Sequence, residues 1–422
     1  MKMGQKLTWV SLFILLNSSL FASENNRILS GENIGTPIAV GLLARSVADS
    51  YIAQSCGGSL IAADWVMTAA HCVSDAELLT TDDGLLVLNA DGKPEAPVQK
   101  KPADNYDIWV GDTDLYGENG RRIAVEEIII NEGYARLFLS PINDIALLKL
   151  KEPVKRGIIM KLAPPPVEGA RFTELAIGEL ATAVGWGQLG SSPHLGVPRV
   201  LNAVALPIVD RQQCRNASRD PINLALQDPE TLAGLTELGV PLQFQTPELF
   251  TEITNEMVCA GVDKSEAGTC SGDSGGPLIY NSPYLNDNAP VDGFFTQVGI
   301  TSFGGDCGSS SIPDAFTRVS SFTNWIDSKI CTAETTPPVS QIAIAVQGNR
   351  GVLTIDSADA FTGNILYFAS KADPSHYFYI DMGSSALIQG SFKSGEGFNL
   401  VTRSYRNNCF SGLSNAVEFF IP

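Results

Sequence analysis

Gly268-Thr-Cys-Ser-Gly-Asp-Ser-Gly-Gly-Pro277 is the stretch on which the reading of this chain turns. It places four glycines around Ser274, so the backbone can turn tightly and be approached closely. A serine nucleophile needs both properties. The substrate carbonyl carbon must reach the hydroxyl while its oxygen meets backbone N–H donors, and side chains on Gly272 or Gly275 would obstruct that approach. An ordinary glycine-rich turn has the same composition, so taken alone the stretch leaves both readings open.

A serine hydroxyl is a poor nucleophile at neutral pH and needs a base within hydrogen-bond reach. The chain has three histidines to choose from. His71 lies in Thr68-Ala-Ala-His-Cys72, straight after the strand-like Trp65-Val-Met67. His194 sits in a loop sequence, and His376 lies far towards the C-terminus. The imidazole in turn needs an acid that holds its tautomer and stabilises its charged form. Asp144 opens the apolar run Ile145-Ala-Leu-Leu148, at the mouth of a buried strand, where an unpaired charge would be costly.

The wider chain supports an exported globular protein. Its 422 residues are 44% hydrophobic and 18% charged, enough apolar material for real cores. The net charge of -18 repels phosphate backbones, so no nucleic-acid partner is expected. Met1–Ala22 has the charged start, apolar run and small-residue exit of a secretory signal, and no later stretch is long enough for a membrane span. The eight cysteines contain no CxxC pair, which with export to an oxidising space favours disulfides over zinc.

From Ile28 to Cys331 the pattern is short apolar or alternating runs broken by Gly, Pro, Asn and Asp, which indicates an all-β barrel or sandwich. One helix is expected near its end, with Phe322, Trp325, Ile326 and Ile330 on one face and Ser320 or Ser321 as its cap. Residues 332–340 have the Thr/Pro composition of a stiff linker, and 341–422 read as a small β-sandwich. Ala76–Asn105 and Asn216–Asn255 look like insertions, the second with a helical patch around Pro229–Leu238.

CGGSLI at 56–61, TAAHC at 68–72, NDIALLKL at 143–150, GWG at 185–187, GDSGGP at 272–277 and the closing helix occur in the order found in trypsin/chymotrypsin-like serine proteases. The chain resembles that family over 28–331. The resemblance implies two antiparallel six-stranded β-barrels with the reacting groups in the cleft between them; with the small Ig-like β-sandwich read from residues 341–422, the expected fold class is all-β. It implies His71 as general base, Asp144 as its orienting acid and Ser274 as nucleophile, with Gly272 and Ser274 N–H groups as an oxyanion hole. No cofactor and no metal are implied. Asp112, Asp114 and Glu118 do not have the spacing of the family's calcium loop.

The same resemblance pairs Cys56 with Cys72, Cys214 with Cys259 and Cys270 with Cys307, which leaves Cys331 with Cys409. It reads 23–27 as a short propeptide cut after Arg27, by another protease or by the enzyme itself. The new Ile28 ammonium would then pair with Asp273. Leu29 and Ser30 depart from the usual start of the mature chain without touching that charge logic. Ser302, Phe303 and Gly304 correspond to the edge that holds substrate as an added strand.

Relatives that cut after Lys or Arg carry an Asp at the pocket floor, where this chain has Gly268 beside Thr269. Asp314 stands on the pocket wall instead, which predicts cleavage after Arg and, less strongly, Lys. An Asp314 satisfied by internal partners would leave a small or apolar preference. The whole implies a secreted, monomeric endopeptidase acting on proteins or peptides. A catalytically silent binding protein on the same scaffold is the competing class, although none of the three reacting residues is missing.

Overall fold

The computed structural model describes residues 32–76, 79–89, 95–172, 175–189, 197–261, 267–281, 295–305, 307, 311–347, 350–356, 363–384, 387–391 and 397–420. Met1–Ala22, Arg27, Ile28 and His194 lie outside the described residues. The described chain falls into two compact units. One draws on the chain up to Met160, on Ile177–Asn288 and on Gly299–Arg318; the other on Lys161–Ala176, Ala289–Val298 and Val319–Pro422.

The first barrel is built from β1 (Val40–Ala44), β2 (Gln54–Ala62), β3 (Trp65–Thr68), β4 (Tyr106–Val110), β5 (Arg121–Ile130) and β6 (Ala146–Leu150). Hydrogen bonding closes it in the order β1-β2-β3-β6-β5-β4. Alternation explains the inward face: Ile123, Val125 and Ile128 of β5 are buried, as are Leu60, Met67, Ile108 and Leu147. Between Lys149 and Leu150 the register against β5 shifts, so Glu126 and Glu127 both face solvent without turning the following residues inside out.

The second barrel repeats that order. Its strands are β7 (Leu180–Gly185), β8 (Asn202–Val209), β9 (Met257–Ala260), β10 (Pro277–Asn281), β11 (Phe295–Phe303) and β12 (Asp314–Arg318). They close as β7-β8-β9-β12-β11-β10, all antiparallel where registers are described. The fold is therefore the pair of six-stranded barrels implied by the sequence.

The two insertions belong to this unit and share a core of their own. Helix α1 (Arg211–Ala225), capped by Asp210, and α2 (Pro229–Glu237), capped by Asp228, supply Ile222 and Leu235. These pack with Leu238, Val240, Phe250 and, from the other insertion, Leu86. Leu86 N–H also donates to the Leu238 carbonyl at 2.7 Å. Phe138, from the hairpin that leads to Asp144, packs on the same cluster.

In the other unit, α3 (Val319–Ile330) buries Phe322 and Ile326. It starts before Ser320, which together with Ser321 therefore sits in the first turn rather than at the cap. The C-terminal strands are β13 (Gln341–Gln347), β14 (Arg350–Asp356), β15 (Gly363–Ser370), β16 (His376–Gly383), β17 (Leu387–Ser391), β18 (Gly397–Arg406), β19 (Cys409–Phe410) and β20 (Val417–Phe420). They form a three-stranded sheet, β13-β14-β17, and a six-stranded one in which Arg171–Phe172 joins β16 in parallel. Ile342, Leu353 and Ile355 of the small sheet meet Leu366, Leu400 and Phe419 of the large one in a shared core.

Residues of 161–172 are built into this unit rather than laid over it. Leu162 N–H donates to Asn408 Oδ1 at 2.9 Å and the Tyr367 hydroxyl to the Pro165 carbonyl at 2.8 Å. The half-buried Lys161 is in contact with the Asp381 carboxylate and donates to Tyr405 Oη at 2.7 Å. The Cys331–Cys409 disulfide ties the end of α3 to β19.

Candidate active site

His71 sits in a one-turn helix, Ala70–Cys72, directly after β3, so the end of a barrel strand sets its position. The Cys56–Cys72 disulfide pins this turn to β2. Asn143 adopts a left-handed conformation (φ 50°), which asparagine tolerates well, and its amide donates to the Gly133 carbonyl at 2.9 Å. That turn delivers Asp144 to the mouth of β6, almost wholly buried.

The two side chains meet. Asp144 Oδ2 accepts from His71 Nδ1 at 2.7 Å and Oδ1 from the His71 backbone N–H at 2.9 Å. From the second barrel, the Ser302 hydroxyl donates to Oδ2 at 2.5 Å and Thr317 Oγ1 to the Asp144 carbonyl at 2.8 Å. Burial would raise the carboxyl pKa, but His71 and the Ser302 hydroxyl outweigh it and hold Asp144 below its ordinary value. Burial likewise pushes against the imidazolium of His71, yet Asp144 more than offsets it, so the His71 pKa is raised despite the opposing charges of Arg136 and Lys101.

Ser302 was placed by sequence at the substrate edge, and its bond to Asp144 has no signal in local sequence. The physical origin is a bulge. The β11–β12 register shifts between Thr301 and Phe303, so Ser302 is the extra residue and its side chain is re-aimed towards the acid. Phe303 is half-buried against Ala315 and the Cys214–Cys259 cluster.

Ser274 lies in the loop between β9 and β10, docked on the first barrel. Gly57 N–H donates to the Ser274 carbonyl at 2.7 Å. The glycines are needed for this approach: a Cβ on Gly275 (φ 81°) would fall 2.5 Å from the Gly57 carbonyl oxygen and 2.2 Å from Thr68 Oγ1. Cys72 Sγ lies 3.6 Å from the Ser274 carbonyl oxygen and 3.9 Å from His71 Nε2, so the Ser274 backbone and the His71 ring both lie near one sulfur. The Ser274 hydroxyl makes no hydrogen bond to the His71 ring among the described residues. Neither Gly272 N–H nor Ser274 N–H donates to a described residue, so two adjacent backbone donors remain open beside the nucleophile candidate.

Asp273 points the other way. Its Oδ1 accepts from Gly187 N–H at 2.7 Å and Oδ2 from Cys270 N–H at 2.9 Å. The GWG signature makes room for it, since a Cβ on Gly185 or Gly187 would fall 2.1 or 2.2 Å from its oxygens. Burial pushes its pKa up to about 6. A small cavity opens beside it, lined also by Gly187, Asn202, Ala203, Gly268 and Thr269. Glu32, at the start of the described chain, pairs with Ala203 on the edge of this cavity.

Asp314 begins β12 and is also buried. Oδ2 accepts from Thr269 N–H at 2.5 Å and from Thr269 Oγ1 at 3.0 Å, whereas Oδ1 faces Gly304, where a Cβ would come within 2.2 Å. The structure thus brings Thr269 and Gly304 against Asp314, while Gly268 lines the cavity beside Asp273, and the neighbouring Cys270 is bonded to Cys307. Burial pushes the Asp314 pKa up to about 7.

The only grouping of possible metal ligands among the described residues is Cys56, His71 and Cys72, and both cysteines are oxidised in one disulfide. No described helix is long and apolar enough to cross a membrane.

Comparison with known proteins bears on the whole of this arrangement. The trypsin family model matches residues 33–326. The chain is 29% identical over 274 residues to clotting factor G beta subunit of Tachypleus tridentatus, covering 64% of this chain and 69% of that protein. It is 27% identical over 278 residues to brachyurin of Leptuca pugilator, covering 65% and 87%. With trypsin of Sarcophaga bullata it shares 27% over 330 residues, covering 76% and 97%. With the barrel pair in place and the family match spanning most of the chain, the protein belongs to the trypsin family of serine proteases.

Proposed function

We propose that the chain is a secreted endopeptidase, made as a precursor, that hydrolyses peptide bonds through an acyl-enzyme on Ser274. The observation that carries this reading is the Asp144–His71 pair, with Nδ1 at 2.7 Å from a fully buried carboxylate. That bond leaves Nε2 as the basic nitrogen, and the hydroxyl it would serve is that of Ser274 in the GDSGGP loop.

In the proposed cycle the Ser274 hydroxyl turns to Nε2, attacks the scissile carbonyl and gives its proton to His71. The oxyanion is stabilised by Gly272 and Ser274 N–H, where one such donor contributes ~10²–10³ in rate. The tetrahedral intermediate collapses as His71 hands the proton to the leaving amine. Water, deprotonated by His71, then attacks the ester, and His71 returns that proton to the Ser274 oxygen as the acid product leaves. Asp144 stabilises the imidazolium at each stage without being protonated itself.

Precursor activation follows from Asp273. Its carboxyl holds two N–H donors and no cation among the described residues, next to a cavity on whose edge the chain passes at Glu32. Ile28 lies four residues earlier, and four extended residues reach about 13 Å. Cleavage after Arg27 creates an ammonium at Ile28 whose partner is Asp273, and the ordering of the neighbouring Gly272–Ser274 donors depends on that pair.

For the residue before the scissile bond, Asp314 supports Arg, and less strongly Lys. Only one of its oxygens is bound by Thr269, and the other faces Gly304 with no donor among the described residues. The direct test of the activity is labelling by a fluorophosphonate. The processed protein should be labelled and inhibited, and Ser274→Ala should lose the label. No labelling of a folded, processed chain would leave a catalytically silent scaffold.

A further inference from the structure

Gln54 is the residue to which the proposed mechanism assigns nothing and the structure assigns a definite task. It stands at the start of β2, immediately after the one-turn helix Ser50–Ala53, and is half-buried. Its amide nitrogen donates to the Gly272 carbonyl at 2.9 Å, across 218 positions of chain, and to the Cys56 carbonyl at 3.2 Å. Both neighbours are acceptors, so the NH2 group and not the oxygen must face them.

The peptide unit gripped in this way is Gly272–Asp273. Its other end is held too, because Asp273 N–H donates to the Cys270 carbonyl at 3.0 Å. This unit lies between the two peptide planes that carry Gly272 N–H and Ser274 N–H. Gly272 has φ 100°, in the region where glycine rotates at little cost, so local sequence does not hold the plane in place. A plane fixed at both its carbonyl and its N–H cannot turn without breaking a bond, and the flanking planes inherit that restraint.

We infer that Gln54 is a positioning residue for the oxyanion hole, a side chain of the first barrel that holds the Gly272–Asp273 peptide so that Gly272 and Ser274 N–H point together. The inference rests on the peptidase reading above. Gln54 touches no reacting atom, and its effect is exerted through Gly272.

The test uses the full-length, processed protein. Gln54→Leu keeps the bulk and removes the donor. A direct oxyanion donor contributes ~10²–10³, so losing its support is expected to lower kcat about 10- to 50-fold while KM changes less than about two-fold. A peptide aldehyde, whose hemiacetal oxygen occupies the same hole, should weaken by a similar factor. Gln54→Glu provides a second readout that bulk packing does not share. Its carboxylate repels the Gly272 carbonyl when ionised and donates when protonated, so its kcat relative to the parent should rise as pH falls.

A Gln54→Leu enzyme with kcat and aldehyde affinity within two-fold of the parent would overturn the inference. So would equal losses in both variants with no pH dependence and a lowered Tm, which mark a purely structural role. If instead activity persists in Ser274→Ala, the peptidase reading itself has failed and this inference falls with it.

Discussion

Ser302 and Asp144 are 158 positions apart, yet the serine hydroxyl sits 2.5 Å from the carboxylate that holds His71. The contact joins a bulge in the second barrel to the buried acid of the first. A hydrogen bond to a charged group is worth about 1.5–3 kcal/mol. Ser302→Ala should therefore lower the Tm and lower kcat/KM by up to about 10- to 100-fold. Unaltered turnover of a peptide ester or amide would show that the His71 contacts alone hold Asp144.

The pH dependence should show the Asp144 charge directly. Catalysis by the proposed base needs neutral His71, whose pKa the Asp144 carboxylate holds above the usual imidazole range. The acid limb of kcat/KM is expected above that range, with activity rising as the pH climbs through it. Arg136 and Lys101 oppose protonation of the ring, so Arg136→Gln should move the limb further up. Asp144→Asn should move it down and cut the rate at the same time. An acid limb that drops in Arg136→Gln would contradict this charge assignment.

Asp314 carries the specificity prediction. Its pKa lies at about 7, so the carboxylate that would attract a P1 cation forms only as pH rises through that value. The ratio of kcat/KM for Arg over a neutral P1 residue should increase with pH, by about tenfold or more at its plateau if the contact contributes 1.5–3 kcal/mol. Asp314→Asn should flatten both the preference and its pH dependence. A P1 panel that favours small or apolar residues in both proteins would assign Asp314 to internal structure only.

Activation can be read from two forms of the chain. A protein starting at Ile28 should be active, and Arg27→Gln should remain a precursor. Breaking a buried ion pair costs about 3–5 kcal/mol, so the unprocessed form is expected to be at least about a hundred-fold less active. The processed form should also melt higher, because a cation then faces Asp273, which burial otherwise pushes up to about 6. Equal activity of the Arg27→Gln protein would refute the ion-pair trigger.

The second unit has its own test in Lys161. Burial pulls its pKa down to about 7, and Asp381 and Tyr405 are its partners. Asp381→Ala removes the carboxylate partner and should cost less than the about 3–5 kcal/mol of a fully buried broken pair, because Lys161 can shed its proton at neutral pH, whereas replacing both residues by apolar ones of similar volume should recover most of the loss. Chemical denaturation of the three full-length proteins would compare them.

The amino-acid sequence by itself determined the family and the barrel pair, and it offered His71, Asp144 and Ser274 as candidates for the site. Motifs such as TAAHC and GDSGGP are legible because their constraints are local. A glycine is needed where an added Cβ would crowd a neighbouring backbone, as a Cβ on Gly57 would come to 3.0 Å from the Gly276 Cα, and a cysteine where a turn must be pinned, as between Cys56 and Cys72. The insertions were visible as stretches that fit neither barrel, but their shared core of Leu86, Ile222 and Leu235 was not.

What only the tertiary structure decided are contacts between distant segments of chain. Ser302 reaches Asp144 through a bulge, Gln54 reaches Gly272 from the other barrel, and residues 161–172 are built into the C-terminal sheet. None of these leaves a spacing in the sequence, because hydrogen bonds and packing depend on where barrel closure brings two strands, not on how many residues separate them.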